Sequence, residues 1–514
     1  MQATAPLLAE QRRGRHGPEL AVIDVGSNTA RLVIFDTSPE GGFRAVYESK
    51  EVPRLGEGSG PEGALSPAAY ERGVGALRRF ARQIDAVGSP AVAAVATSAV
   101  RDAPNGRRFL DRVARETGLA LKVLSGAEEA RYGYLGVAAA WPLEDDLIVD
   151  LGGGSLQGMT TRHGQLDRSV SLPIGALRMT ERFLEHDPPR RRELERLRRH
   201  VRRALKDVPL PRSSWRRLYG VGGSIRCLAR VAISLRAYPL PQVHGYELRR
   251  RDLRAIESAV VGRTTAERRE IPGISGHRAD VLPAALYTVE ELLDRAGVDR
   301  LIVSGTGIRE GIVVERLGIP VPMPPEVLAY RSATALARAF GFSLAHGEEL
   351  QRFAGALFDL LVARRLVRRV DRLSLNVAAW LHDMGSVVEI GNHAVHSAYL
   401  MRHASVLGLD HRELLIAALA ASLHEGERAP RSWRDQYRPL LKAADVRSAV
   451  SLGTVLFVIE ALDGAQVRFA LPHRSRRLYL RPQPGAGNHP SARTVERIRR
   501  AVRRTFDLEV VVDA

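Results

Sequence analysis

The sequence predicts an α/β protein: two similar α/β domains facing each other across a cleft, then a mostly helical C-terminal domain. Three observations carry this. The first half alternates short β-branched apolar runs with stretches of helical period, as layered α/β folds do. An apolar run ending in Asp, one apolar residue and Gly occurs twice, as Asp24-Val25-Gly26 and Asp150-Leu151-Gly152. Such a repeat implies one supersecondary unit used twice. Beyond a proline-rich break at 320–325 the apolar spacing is helical almost throughout.

In chain order, residues 1–18 are basic without an apolar core segment, so they are expected to be a flexible tail and not a signal peptide. Strands are predicted at 21–25, 147–151, 217–221 and 301–305, and helices over 68–87 and 281–296. The expected domains are 19–137, 138–319 and 326–514. The last has helical faces at 331–340, 348–365, 375–381 and 411–423, with strand-like segments only at 477–480 and 508–512. The charge run 188–203 admits two readings, a phosphate-binding strip or a surface helix burying Leu194, Leu197 and Val201. The second is the commoner fate of such runs.

Lys plus Arg number 76 against 58 Asp plus Glu, and 76 − 58 gives +18. That field draws anions without choosing among them. Aromatic residues are only 5% and form no stacking platform, so a specific nucleic-acid role is not expected. The single cysteine, Cys227, excludes a disulfide framework within the chain and suits a reducing cytoplasm. No apolar run is long enough to predict a membrane span.

The chemistry sits in glycine loops that follow the strands: Asp24-Val25-Gly26-Ser27-Asn28, Asp150-Leu151-Gly152-Gly153-Gly154-Ser155, Gly220-Val221-Gly222-Gly223-Ser224 and Ser304-Gly305-Thr306-Gly307. Glycine lets backbone amides approach an anion, and successive amides at a helix start form an anion-binding concavity. Ser27, Asn28, Ser155 and Ser224 add side-chain donors. A pair of strand-end carboxylates, Asp24 and Asp150, beside such loops is suited to holding Mg²⁺ or another divalent cation.

These motifs resemble those of the actin, sugar-kinase and heat-shock ATPase superfold (the RNase H-like, ASKHA superfold), and within it the exopolyphosphatase and guanosine pentaphosphate phosphatase family. Residues 21–29 resemble the family's opening motif. Ala96-Thr97-Ser98-Ala99-Val100-Arg101-Asp102, Leu124 to Arg131 and Val149 to Ser155 resemble those that follow, and His277-Arg278-Ala279-Asp280 and Gly305 to Gly311 come later in the expected order. The resemblance implies two actin-like domains at 19–137 and 138–319. It implies Glu129 as the carboxylate that activates the attacking water, and Arg101 as a phosphate clamp. Gly26, Ser27, Asn28, Gly152, Gly153, Gly154, Ser155, Gly222, Gly223 and Ser224 would bind phosphate, and Asp24 and Asp150 the metal.

The expected activity is Mg-dependent release of the terminal phosphate of inorganic polyphosphate. The alternatives are the 5′-phosphate of guanosine pentaphosphate (pppGpp), or weakly catalytic binding of these polyanions. A homodimer in the cytoplasm is expected. The fourth motif usually ends in Glu where this chain has Gln157, an amide in place of a possible metal ligand. Trp380-Leu381-His382-Asp383 resembles the His-Asp step of HD-type phosphohydrolases, with His346, His393, His396 and His424 around it. The later Asp of that pattern reads Glu460-Ala461-Leu462-Asp463, so this HD-like domain is expected to be structural or regulatory and not an active metal site.

Overall fold

The structure, a computed structural model, describes residues 19–512 except 38–41, 59–62, 89, 211–216, 427, 429, 463–466, 474 and 483–489. The expected tail at 1–18 lies outside the described residues. The chain divides into two compact units, Met1–Met323 and Pro324–Ala514.

The first unit contains two mixed sheets built on one plan. In the first, β1 (Glu19–Val25), β2 (Ala30–Thr37) and β3 (Phe43–Glu51) form an antiparallel meander, and β4 (Ala91–Ala96) and β5 (Leu121–Val123) extend it in parallel. In the second, β6 (Leu147–Leu151), β7 (Leu156–Arg162) and β8 (Gln165–Leu172) repeat the meander. Then β9 (Leu218–Val221) pairs in parallel with β6, β11 (Arg300–Val303) pairs in parallel with β9, and β10 (Glu247–Arg249) lies antiparallel at the edge. The strand orders β3-β2-β1-β4-β5 and β8-β7-β6-β9-β11 are therefore the same.

The registers repeat as well. Asp24 faces Arg31 across β1 and β2, and Asp150 faces Gln157 across β6 and β7. Both leading strands are central in their sheets and almost fully buried, which explains their unbroken apolar runs. The hairpin strands β2, β3, β7 and β8 are not among the predicted strands. Ser, Thr, Arg and Gln interrupt their patterns, and β8 alternates between exposed and half-buried positions instead of forming an apolar run.

The predicted helices form at Pro67–Val87 and Leu282–Ala296. The charge run folds as a surface helix, Arg191–Ala204, with Leu194, Leu197 and Val201 buried. Its Arg198 and Arg202 pair with the buried carboxylate of Glu291.

The second unit is mostly helical around one apolar core that includes Phe358, Leu375, Leu415 and Leu456. Its first helix, Pro325–Phe340, starts six residues before the predicted 331–340. Proline is tolerated in the first turn, where its missing N–H has no intrahelical partner to lose, so the break at 320–325 also opens a helix. A small sheet of β12 (Val467–Ala470), β13 (Arg477–Pro482) and β14 (Glu509–Val512) follows. Among the described residues no helix is long and apolar enough to cross a membrane.

Candidate active site

The strand-end loops of the two sheets meet around a cavity of about 100 Å³. Asp24, Gly26, Ser27 and Asn28 from the first sheet line it, with Asp150, Gly152, Gly153, Ser155, Gly222 and Gly223 from the second. Each leading loop closes in the same way. The Gly26 amide donates to Thr29 O at 3.0 Å, and the Gly152 amide donates to Ser155 O at 3.0 Å. Those two amides are therefore used inside their turns. Gly26 and Gly152 thus shape the loops, and Ser27, Asn28, Gly153 and Ser155 line the cavity beside them.

Contact between the loops explains the triple glycine. A Cβ on Gly154 would lie 2.5 Å from both Ser27 Oγ and Ser98 Oγ, atoms that are 3.0 Å from each other. Gly154 itself does not line the cavity. Gly222 has φ +102°, a region that L side chains rarely adopt, and a Cβ there would lie 2.8 Å from Asp150 Oδ1. It opens the helix Gly223–Leu235, whose first residue is on the cavity wall with its N-terminal partial charge.

Local capping chooses between the adjacent Glu128 and Glu129. Ser125 Oγ accepts from the Glu128 amide at 3.2 Å, and the Ser125 amide donates to Glu128 Oε2 at 2.9 Å. This capping box turns Glu128 back onto the helix start. Glu129, one position on, is only 5% exposed and lies on the cavity wall. Arg101 Nη1 donates to Glu129 Oε2 at 2.9 Å and to Leu124 O at 2.9 Å. Arg101 is thus not among the cavity-lining residues; it holds the Glu129 carboxylate from behind. Burial pushes Glu129 up to about 7 despite Arg101, with Asp150 and Asp24 adding to the rise.

Burial likewise pushes Asp150 up to about 6 and raises Asp24. Among the described residues neither carboxylate has a salt bridge within 4 Å. Two buried carboxylates converging without such a partner are a fitting donor set for a hard divalent cation. Gln157 is not on the wall. Its amide donates to Ser155 Oγ at 2.9 Å and to Ser171 Oγ at 3.2 Å, so it braces a loop serine. Ser224 is also set back, accepting from Arg278 Nη1 at 3.2 Å. Asn28 is 4% exposed, lines the cavity, and both its side-chain amide atoms lack a partner. A buried amide so placed is ready for a ligand that can both accept and donate.

Four arginines of the cavity wall stand outside the sequence-derived site: Arg31, Arg226, Arg278 and Arg309. Burial, then Arg309 and Arg31, bring Arg226 down to about 9, and burial with neighbouring arginines brings Arg278 to about 10. Against Asp24, Glu129 and Asp150 the formal balance is 4 − 3 = +1; Arg31 is lowered by burial as well, whereas nearby carboxylates, Glu310 and Asp24 first, raise Arg309 despite its burial. Anionic oxygens are the matching partners for guanidinium groups so placed. Arg278 and Arg309 sit inside motifs visible in the sequence. Arg31 could have been found from the hairpin register opposite Asp24.

Two mixed sheets of one plan, with a cationic, carboxylate-bearing cavity where their Asp-tipped strands meet, define an actin-like fold with a site for phosphoryl chemistry. The sequence model of the Ppx/GppA phosphatase family matches residues 33–319, and that of Ppx/GppA phosphatase domain III matches residues 329–456. The chain belongs to the Ppx/GppA phosphatase family, and is a hydrolase.

It is 34% identical over 320 residues to Exopolyphosphatase 2 of Mycobacterium tuberculosis, across 58% of this chain and 98% of the relative. It is 30% identical over 303 residues to Exopolyphosphatase 1 of Mycobacterium bovis, across 58% of this chain and 88% of the relative. Among solved structures, an exopolyphosphatase from Cytophaga hutchinsonii matches with TM-score 0.54 at 28% identity, covering 59% of this chain and 100% of that one. The Aquifex aeolicus Ppx/GppA family member matches with TM-score 0.50 at 31% identity, covering 58% and 97%.

Proposed function

We propose that this chain removes the terminal phosphate of inorganic polyphosphate by in-line attack of water, with Glu129 as the general base. The observation that carries the reading is a buried carboxylate near pKa 7 on the wall of a phosphate-sized cavity. A general base works best when its pKa lies near the operating pH. Drug-sized ligands fill roughly 300–1,000 Å³, so a cavity of about 100 Å³ suits a terminal phosphoryl group and not a whole nucleotide. The exopolyphosphatase names of relatives matched over most of their length support the substrate class.

In this reading the amides beyond Gly26 and Gly152, Asn28 and the four arginines hold the phosphoryl oxygens. Arg101 orients the Glu129 carboxylate toward the water. Water oxygen bonds to the terminal phosphorus, the bridging P–O bond breaks, and the released oxygen stays on the shortened chain. The water proton passes to Glu129. Asp24 and Asp150 would hold a divalent cation such as Mg²⁺, which neutralises phosphate charge when bound. We assign the two lobes to 19–137 and 138–319, with 326–514 as an accessory helical part.

The test is phosphate release from long polyphosphate, pppGpp and ATP, with Mg²⁺ and with EDTA. Release from polyphosphate at much higher kcat/KM supports the proposal. A preference for pppGpp moves the substrate to that nucleotide while keeping the site, and no release from any of them overturns the catalytic reading.

A further inference from the structure

The second unit holds a groove of about 1210 Å³, walled in part by the helices Ala345–Ala363, Ala443–Glu460 and Ala492–Phe506. Seven arginines and two aspartates line it, and 7 − 2 gives a formal +5. Arginines on a surface are ordinarily paired with carboxylates. Here only Arg368 is, through Asp371 and Asp445. Arg365, Arg369, Arg428, Arg431, Arg447 and Arg504 share the wall with no carboxylate within 4 Å among the described residues. Guanidinium groups gathered round one concavity repel one another, and a multiply charged anion offsets that repulsion.

The backbone adds to this field. The helix Ala443–Glu460 begins on the wall with Ala443 and Ala444, so its N-terminal partial charge meets the groove. Arg365 stands just past the helix Ala345–Ala363 at φ +56°. Its amide donates to Val362 O at 2.9 Å, and the Leu366 amide donates to Leu361 O at 2.9 Å. Glycine is the usual residue at such a left-handed helix end. An arginine there accepts a conformational cost and brings a guanidinium to the wall.

The wall is not cationic alone. Asp371 is occupied by Arg368 and by Ser448 Oγ, which donates to it at 2.7 Å. Asp435, on the short helix Trp433–Gln436, is the other carboxylate, and its side chain has no partner among the described residues. Val362, Leu366 and Phe457 supply apolar surface. A bare chain of phosphates would meet Asp435 as a like charge and leave that apolar surface wet. A nucleobase uses both. Its N–H edge donates to a carboxylate, and its faces lie on apolar groups or guanidinium planes. Small-molecule sites run to roughly 1,000 Å³, so the groove has room for a nucleoside together with its phosphates.

We propose that this groove binds a nucleoside triphosphate, with arginine forks on the phosphate oxygens and Asp435 accepting from the base. The planar guanidinium fork matches phosphate oxygens two at a time, which a lysine does not. Guanine, with adjacent N–H groups at N1 and N2, offers a partner to both carboxylate oxygens. The site belongs to the second unit and does not depend on the substrate proposed above.

The experiment is calorimetric titration of the full chain in EDTA, where turnover is stopped, with GTP, ATP and tripolyphosphate. Tripolyphosphate also fits the cavity of the first unit, so groove binding is the part that Arg447→Glu weakens. GTP or ATP should bind at one such site per chain, more tightly there than tripolyphosphate. Arg369→Glu and Arg447→Glu, both at exposed positions, should each weaken the nucleotide by about tenfold or more. Arg31→Gln, in the first unit, should retain it. Asp435→Asn should remove most of the preference over tripolyphosphate. Absence of nucleotide binding, full binding in both groove variants, or tripolyphosphate bound in the groove as tightly as either nucleotide overturns the proposal. An unchanged preference in Asp435→Asn overturns the assignment of the base.

Discussion

The two lobes of the first unit share strand order, loop closure and a strand-end aspartate, yet differ at the residue facing that aspartate. In the first lobe it is Arg31, and in the second it is Gln157. Arg31 is on the cavity wall and lowers the charge cost of Asp24. Gln157 stays behind the wall and braces Ser155. Duplication thus set the geometry twice, and the cross-strand partner divided the labour. One lobe contributes a cation beside its carboxylate, while the other sets a neutral amide opposite Asp150, whose charge is eased by Arg226 and Arg309 instead.

The largest expected effect removes the group that serves both lobes. Glu129→Gln should lower phosphate release by about a thousandfold while polyphosphate binding persists, measured by turnover and by equilibrium binding. In the wild type, kcat/KM should rise as pH increases through about 7, because Glu129 must lose its proton to act as base. Stability runs the other way. With a folded pKa near 7 against 4.5 unfolded, the carboxyl favours folding fully below 4.5, and that favour is lost as pH rises through 7. In metal-free protein at pH 8, Glu129→Gln should therefore be the more stable, by on the order of 2–3 kcal/mol, as melting temperatures at pH 5 and 8 will show.

Next comes the contact that joins the lobes. Gly154→Ala places a methyl where Ser27 Oγ and Ser98 Oγ now lie within 2.5 Å, so one loop must move. Displacement of catalytic loops by about 1 Å costs roughly a hundredfold in rate, and kcat/KM should fall by that order with the fold retained. Wild-type kinetics in this variant would show that the two loops act independently.

Much of this comparison was legible beforehand. The buried leading strands declared themselves because both faces are covered, and the loop glycines because backbone approaches backbone there. Glu129 stood out only through family resemblance; the capping box that separates it from Glu128 became decisive once the helix start was placed. Arg101 was read as a phosphate clamp, yet the fold sets it behind Glu129, since its reach depends on the short helix Ser98–Arg101 and on Leu124 O. The buried arginines were hidden among 76 basic residues whose exposure no pattern reveals. In the second unit the sequence places His346, His393, His396 and His424 around the His-Asp step, and which of them meet depends on how the helices pack.

The smaller effects probe the differing partners themselves. Arg31→Gln gives the first lobe an amide like that of the second. It removes one guanidinium from the wall and the 2.6 Å pair with Glu48, so KM for polyphosphate should rise about tenfold, near 1.4 kcal/mol, with kcat less affected.

Gln157→Glu is the converse change and the subtlest. A carboxylate at 157 can accept from the Ser155 and Ser171 hydroxyls that now accept from the amide, so the local bonds survive with reversed direction. The new charge instead meets Asp150 across the hairpin. Without Mg²⁺ that like-charge pair should lower the melting temperature by a few degrees. With Mg²⁺ the penalty should vanish, and half-maximal phosphate release should need several-fold less metal. If the Mg²⁺ titration does not move, position 157 has no bearing on cation binding, and the asymmetry between the lobes concerns loop bracing alone.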